Sequence, residues 1–358
     1  MGISPCLKKH FDELCLNSCL GLSSISYNDI TPYNSADFII KVPYAGKKLK
    51  WDILFDPDDF TFPPDFDFND DCFLADPDLE ILEQNAPSLE NWNLDNPKML
   101  AIILNEFLEY YKKLQIEKLK IENIYSRYYE EYEDLISGDH IKPEDVQVSV
   151  DSSNMIIFLI EIKLDLTALI EYCNDLELLD LDSNIQLKIT INKMDGSNTK
   201  SYIQYPPQME HLFGDHPALP KFGKEVPIKE YVAAVNEMLT QKISHITEGC
   251  RLRKEFIRSI YALCRSYTVE VDTKHFTRII ILAKHQEYSC LVTIIAGNKF
   301  PQEKPIIKLS SIYCQEGKSC NKILPKYQYN TALGPDKNAY NLVKSLPQLI
   351  CQMKQHKC

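Results

Sequence analysis

The chain has 358 residues, more than one average domain needs, and its 44% hydrophobic against 25% charged residues suits two or three modules with buried cores. Lys and Arg number 39 against 51 Asp and Glu, a formal charge of −12 that argues against general binding to a phosphate backbone. No run approaches the roughly 20 apolar residues that span a bilayer, and the N-terminal residues lack the basic, apolar, small-residue order of a secretory signal. The expectation is therefore no nucleic acid and no membrane. Met1-Gly2 does not start a myristoylation motif, since Cys6 stands where Ser or Thr is needed.

Twelve cysteines without such a signal point to a reducing compartment, cytoplasm or nucleus. Cys6, His10, Cys15 and Cys19 resemble a zinc set, but on one helix the first pair and the second fall on opposite faces. They read as ordinary core or surface thiols. The one compact basic run, Arg251-Leu252-Arg253-Lys254, reads as a solvated helix face.

Residues 3–20 have the spacing of an amphipathic helix, with Ile3, Leu7, Phe11, Leu14 and Cys15 on one side. A hairpin follows: Phe38, Ile40 and Val42 alternate on the way in, Leu49, Trp51, Ile53 and Phe55 on the way out, around Tyr44-Ala45-Gly46-Lys47. Pro63-Pro64 breaks the ladder at an edge or crossover before a short strand at 65–68. Residues 69–91 read as an irregular acidic crossover, and 97–135 as one long helix after Trp92, with Leu100, Ile103, Phe107, Tyr110, Leu114, Ile121, Ile124 and Tyr128 as its apolar stripe. Tyr110, Tyr111, Tyr125, Tyr128, Tyr129 and Tyr132 crowd it, fitting either a partner interface or packing against the next module.

Residues 155–164 read as a strand, and 186–191 pair with 199–204 across Asp195-Gly196. Pro206-Pro207 and a proline-rich linker at 217–227 follow. A helix is expected over 229–264 with a break at Gly249, then a strand at 267–271 and a hairpin pairing 276–283 with 288–295. Pro301 and Pro305 precede a strand ending at Leu309, and a last helix at 335–355 is expected to be interrupted near Pro347.

The order helix, meander, proline pair, short strand, crossover, helix thus occurs twice. The middle region fits a degenerate third copy and equally a meander merely punctuated by prolines. The reading is α+β: antiparallel β-meanders flanked by helices in modules 1–136, 137–226 (strand-rich) and 227–358.

This order resembles the ubiquitin-conjugating fold shared by conjugating enzymes, their UEV variants and RWD domains, and Trp92 with Asn96-Pro97 and Leu100 is similar to the stretch before that fold's later helices. More specifically, residues 42–55, built on Pro43, Tyr44, Gly46 and Trp51, resemble the signature hairpin of the BRE family. So do Pro63-Pro64-Asp65-Phe66-Asp67-Phe68, residues 90–93, Glu210-His211 and residues 253–257, all in family order.

A conjugating enzyme needs a thiol after His-Pro-Asn, whose Asn helps hold an oxyanion. In the first module that motif's place is near Ala75-Asp76-Pro77, the thiol position falls close to Gln84, and Cys72 comes too early. In the last module Gly317-Lys318-Ser319-Cys320 resembles the thiol segment, but Cys314 and Gln315 replace His and Pro, and the Asn is missing. Lys318 would lower the thiol's pKa and leave Cys320 oxidisable rather than catalytic. The runs at 56–59 and 65–71 lack the Gly and closing Glu of a calcium loop.

What the resemblance implies is a subunit with neither catalytic residue nor cofactor. It would bridge an Abraxas-like scaffold and a von Willebrand A-like adaptor in BRISC- and BRCA1-A-type assemblies, cytoplasmic and nuclear. There a partner JAMM-type zinc protease cleaves lysine-sixty-three-linked chains, and ubiquitin itself is a further candidate ligand. The rival readings are a conjugating enzyme acting through Cys320 and a UEV adaptor for Pro-rich peptides.

Overall fold

The computed structural model describes residues 3–355 apart from 18, 21–22, 71, 75–78, 152–153, 174–183, 193–198, 207–208, 210–212, 214–217, 224, 287, 313–320, 325–326 and 328. The expected features at Ala75-Asp76-Pro77, Asp195-Gly196, Pro207, Glu210-His211, Pro217 and Cys320 lie outside the described residues. The fold is α+β, with two four-stranded and one five-stranded antiparallel sheets and flanking helices. The chain divides into two compact units, one of 1–163, 184–205 and 217–236, the other of 164–183, 206–216 and 237–358. No described helix is long and apolar enough to cross a membrane.

The first unit carries both four-stranded sheets, besides a two-stranded ribbon of Cys19–Leu20 and Ser23–Ser24. In the first, Ile30–Pro32, Asp37–Tyr44, Lys47–Leu54 and Asp65–Asp67 lie side by side in chain order. Strict alternation sends Phe38, Ile40, Val42 and Tyr44 inward, where they meet Leu7, Phe11 and Leu14 of the helix Pro5–Asn17 in one core. Opposite them Ile53 pairs with Phe38 and Trp51 with Ile40. The turn uses two left-handed residues, Ala45 (φ 48°) and Gly46 (φ 69°), the backbone that a two-residue hairpin connection favours. The diproline precedes Asp65–Asp67, which is an edge strand. The crossover at 69–91 is more regular than expected: Leu79–Asn85 and Pro87–Glu90 are helical.

The long helix expected over 97–135 is two helices, Met99–Ile121 and Ser126–Ile136, joined by a single turn at Asn123–Tyr125. Glu122 leaves the helix for extended geometry (ψ 113°). The break resets the phase of the apolar stripe. Ile121 and Ile124, which an unbroken helix would bury, are 75% and 54% exposed, whereas Tyr125, Tyr128, Tyr132 and Leu135 turn inward. Tyr125 anchors the new phase by donating its hydroxyl to Asn154 Oδ1 at 2.7 Å. Of the crowded tyrosines, Tyr111, Tyr125, Tyr128 and Tyr132 are buried in the chain's own interior, which is the packing alternative.

The second sheet has the order Thr199–Gln204, Asn184–Ile191, Ile156–Lys163, Val146–Val150. The last strand is an addition to the sequence reading. Every one of its residues is buried although it ends the sheet.

In the second unit a five-stranded sheet runs Thr268–Val271, Arg278–His285, Tyr288–Ile295, Ile306–Ser311, Asn321–Leu324. Its inner face packs Ile279, Ile281, Val292, Ile294, Ile307 and Leu309 into one core with Phe256, Ile257, Ile260 and residues of the final helix. Two expected interruptions are absent. The helix Ile228–Cys264 passes through Gly249 unbroken. The glycine there permits close approach, because a Cβ would sit 3.3 Å from the Phe300 carbonyl oxygen. The helix Pro335–Gln355 likewise continues through Pro347. Proline costs about 3 kcal/mol inside a helix, and buried Leu342, Leu346, Leu349 and Ile350 hold the turns on both sides against that cost.

Candidate functional site

The hairpin that carries the family resemblance forms a joint within the first unit. Tyr44 is buried, sets its ring edge-on to Tyr111 with centroids 5.2 Å apart, and donates its hydroxyl to the Val148 carbonyl at 2.7 Å. The Ala45 N–H donates to Gln147 Oε1 at 2.7 Å, Lys47 reaches Asp151 at 3.3 Å, and Lys188 donates to the Gly46 carbonyl at 3.0 Å. Burial drives the Tyr44 phenol far above its ordinary pKa, so it stays protonated and able to donate.

These contacts solve an edge problem. Val146–Val150 has a strand neighbour on one side only, and unpaired edge groups buried away from water are costly. Val148 offers its carbonyl to Tyr44, and Val150 donates its N–H to buried Gln115 Oε1 at 2.9 Å. Side chains from the hairpin and from the helix Met99–Ile121 thus stand where a fifth strand would pair. Gln147 and Gln115 escaped the sequence reading. Their one available signal is a polar residue flanked by valines or on an apolar helix stripe.

The other site residues of the first module range from buried to exposed. Pro43 lies beyond the stretch paired to Ile30–Pro32, Pro64 is buried and Pro63 exposed. Trp92 donates Nε1–H to the Phe60 carbonyl at 3.1 Å and stacks on His10 with centroids 5.0 Å apart. His10 is buried and its Nε2 meets the Leu94 carbonyl at 2.9 Å, so that nitrogen carries the proton. Burial lowers its pKa and keeps the ring neutral. Cys6 on the same helix is exposed while His10 is buried. Among the described residues no three His, Cys, Asp or Glu side chains gather as metal ligands.

In the last module, the carbonyl of Pro301 accepts from the Tyr329 hydroxyl at 2.8 Å, and that of Pro305 accepts from Tyr327. The prolines therefore tie down the segment before the final helix. Cys250, Cys264 and Cys290 are buried, and burial pushes the Cys290 thiol up to about 11, which keeps it protonated and unreactive.

The expected solvated face at 251–254 needs correction. Arg251 does lie on the surface, paired with Glu248 and Glu255. Arg253 does not. It is buried, and its guanidinium donates to the carbonyls of His275 (3.1 Å) and Gly297 (3.5 Å) and toward Cys250 Sγ at 3.4 Å. The loop it grips is ordered by Asp272, whose carboxylate accepts from the N–H groups of Lys274, His275 and Thr277 and from the Thr277 hydroxyl at 2.6 Å. Burial alone would raise this carboxyl, but the Thr277 hydroxyl and the backbone donors hold it down to about 2.

A depressed folded-state pKa stabilises the fold above the ordinary value of 3.8, and that contribution fades as pH falls from there through about 2. Asp272→Asn is expected to flatten this acid limb. Hydrogen exchange of the sheet amides between those two pH values checks it; identical limbs in both proteins would show that the loop carboxylate is not coupled to folding.

Residues 3–315 match the family model described as brain and reproductive organ-expressed protein (BRE). The chain belongs to the BRE family. It is similar to a protein named BRISC and BRCA1-A complex member 2 from Branchiostoma floridae, 29% identical over 287 residues, covering 77% of this chain and 71% of that one. A protein of the same name from Danio rerio is 27% identical over 352 residues, covering 92% of this chain and 88% of its own. The match to BRE runs through both compact units, from the first helix to the last sheet.

Proposed function

We propose that this BRE-family chain is a non-catalytic structural subunit of a BRISC- or BRCA1-A-type deubiquitinase assembly, built from UEV-like modules. It bridges an Abraxas-like scaffold and a von Willebrand A-like adaptor, while a partner JAMM metalloprotease supplies the zinc and cleaves lysine-sixty-three-linked ubiquitin, in cytoplasm and nucleus. The observation that carries this reading is the family match over most of the chain together with the complex membership in its relatives' names. The division into modules 1–136, 137–226 and 227–358 belongs to the same proposal, with one sheet of four or five strands to each.

The geometry supports a load-transmitting part. The residues with the strongest family resemblance are spent on joining two sheets, and the described thiols of the last core are buried and protonated. Co-expression with the protease, scaffold and adaptor of the same species, followed by size-exclusion and native mass analysis, tests the bridge. One stoichiometric complex is expected, losing the adaptor when this chain is omitted. Elution of the chain alone under all conditions would overturn the reading, and Cys320→Ser would then be assayed for loss of a ubiquitin thioester.

A further inference from the structure

The helix Ile228–Cys264 carries, near its C-terminal end, a surface feature separate from the hairpin joint. A groove of about 500 Å³ opens between this helix and the Asp272 loop, floored by Ile257, Tyr261, Val271 and Phe276 and flanked by Lys254 and Arg258. A second hollow of about 400 Å³ lies on the other flank of the same two cations, reaching Arg251 and Ser259. Lys254 and Arg258 are one helical turn apart, and both heads sit 5.5 Å from the Phe276 ring centroid.

That arrangement is held in place from below. Phe276 has a left-handed backbone (φ 53°), an uncommon state for a bulky residue, and the Asp272 hydrogen bonds and buried Arg253 close the loop that imposes it. The Asp272 carboxylate is turned into its own loop, so it does not neutralise the groove. Among the described residues the charged lining of both hollows is Arg251, Lys254 and Arg258 against Glu255, and Arg251 is paired with Glu255 and with Glu248 beside the hollows. A local positive strip on a chain of formal charge −12 is a selective feature.

We propose that this groove docks an extended acidic peptide segment of a partner protein, apolar side chains entering the Tyr261–Phe276 floor while neighbouring carboxylates meet Lys254 and Arg258. Charge complementarity selects the acidic occupant, and a hollow lined by one helix and one loop suits an extended segment. The inference stands apart from the bridging role.

The test uses the full chain and a fluorescein-labelled dodecapeptide of alternating Glu and Leu, read by anisotropy beside its Gln-for-Glu counterpart. The acidic peptide is expected to bind at least about tenfold more tightly at low salt, with the difference shrinking as salt screens it. Lys254→Glu with Arg258→Glu is expected to abolish that preference, while Lys284→Glu with Lys308→Glu on the sheet leaves it intact. If the charge reversal unfolds the unit, Lys254→Gln with Arg258→Gln takes its place. Equal binding of both peptides, no binding of the acidic one, or equal losses in the two double variants would overturn the proposal. Because no complex partner is present, failure here leaves the bridging role standing.

Discussion

Tyr44→Ala is expected to destabilise the first unit by about 3–5 kcal/mol, the range for truncating a large buried aromatic. Three losses coincide: the packed ring, its edge contact with Tyr111, and the donor to the Val148 carbonyl. Tyr44→Phe separates them, because it keeps the ring and strands only the carbonyl, for about 1–3 kcal/mol. Both tryptophans, Trp51 and Trp92, belong to this unit, so urea unfolding followed by intrinsic fluorescence reports on it selectively. A loss under about 1 kcal/mol for the alanine variant would mean that the second sheet holds its edge without the hairpin.

The second large effect is expected at Arg253. Arg253→Met keeps much of the apolar stem and removes the guanidinium, taking its donor from the His275 carbonyl and leaving the Gly297 carbonyl with the Phe300 N–H. Hydrogen bonds from charged donors are worth about 1.5–3 kcal/mol each, so a net loss of about 3 kcal/mol is expected after the saving in desolvation. Arg253→Lys should recover little, since a single ammonium cannot serve two separated carbonyls with a planar fork. Hydrogen exchange in peptides covering residues 278–295 is the readout. Full protection in the methionine variant would contradict the proposed grip.

Much of this architecture was legible from patterns of two and three-to-four residues. The first hairpin, its Ala45-Gly46 turn, the Arg278–His285 and Tyr288–Ile295 pair and the edge position of the diproline all follow local rules. The misses are places where a distant partner decides. At Glu122 both halves of the sequence are helical by periodicity, and the break is set by Tyr125 reaching Asn154. Val146–Val150 alternates valine with Gln147 and Ser149, which suggests a solvated face until the hairpin tip supplies Gln147 with a donor from 102 residues away. Gly249 and Pro347 carry breaker chemistry, yet close backbone packing and a clamped apolar face override it. Arg253 looks like its neighbours in a basic run, and only the carbonyls that the loop turns toward it mark it out. Of the site residues named from the sequence, Tyr44, Gly46, Trp92, Pro301 and Pro305 make hydrogen bonds that tie one segment to another.

The hairpin's inward orientation bears on how damage to this protein would show itself in a cell. A substitution at Tyr44 or at Ala45 of the turn falls on a buried residue, so its first effect is a larger unfolded fraction. Quality control then removes the chain, and a shift of about 1–2 kcal/mol changes abundance several-fold. Such variants would mimic low expression, with every contact to a partner intact in the molecules that survive, and a chemical chaperone or lower temperature would restore them. Variants at exposed positions such as Arg258 would leave abundance untouched and alter the company the protein keeps.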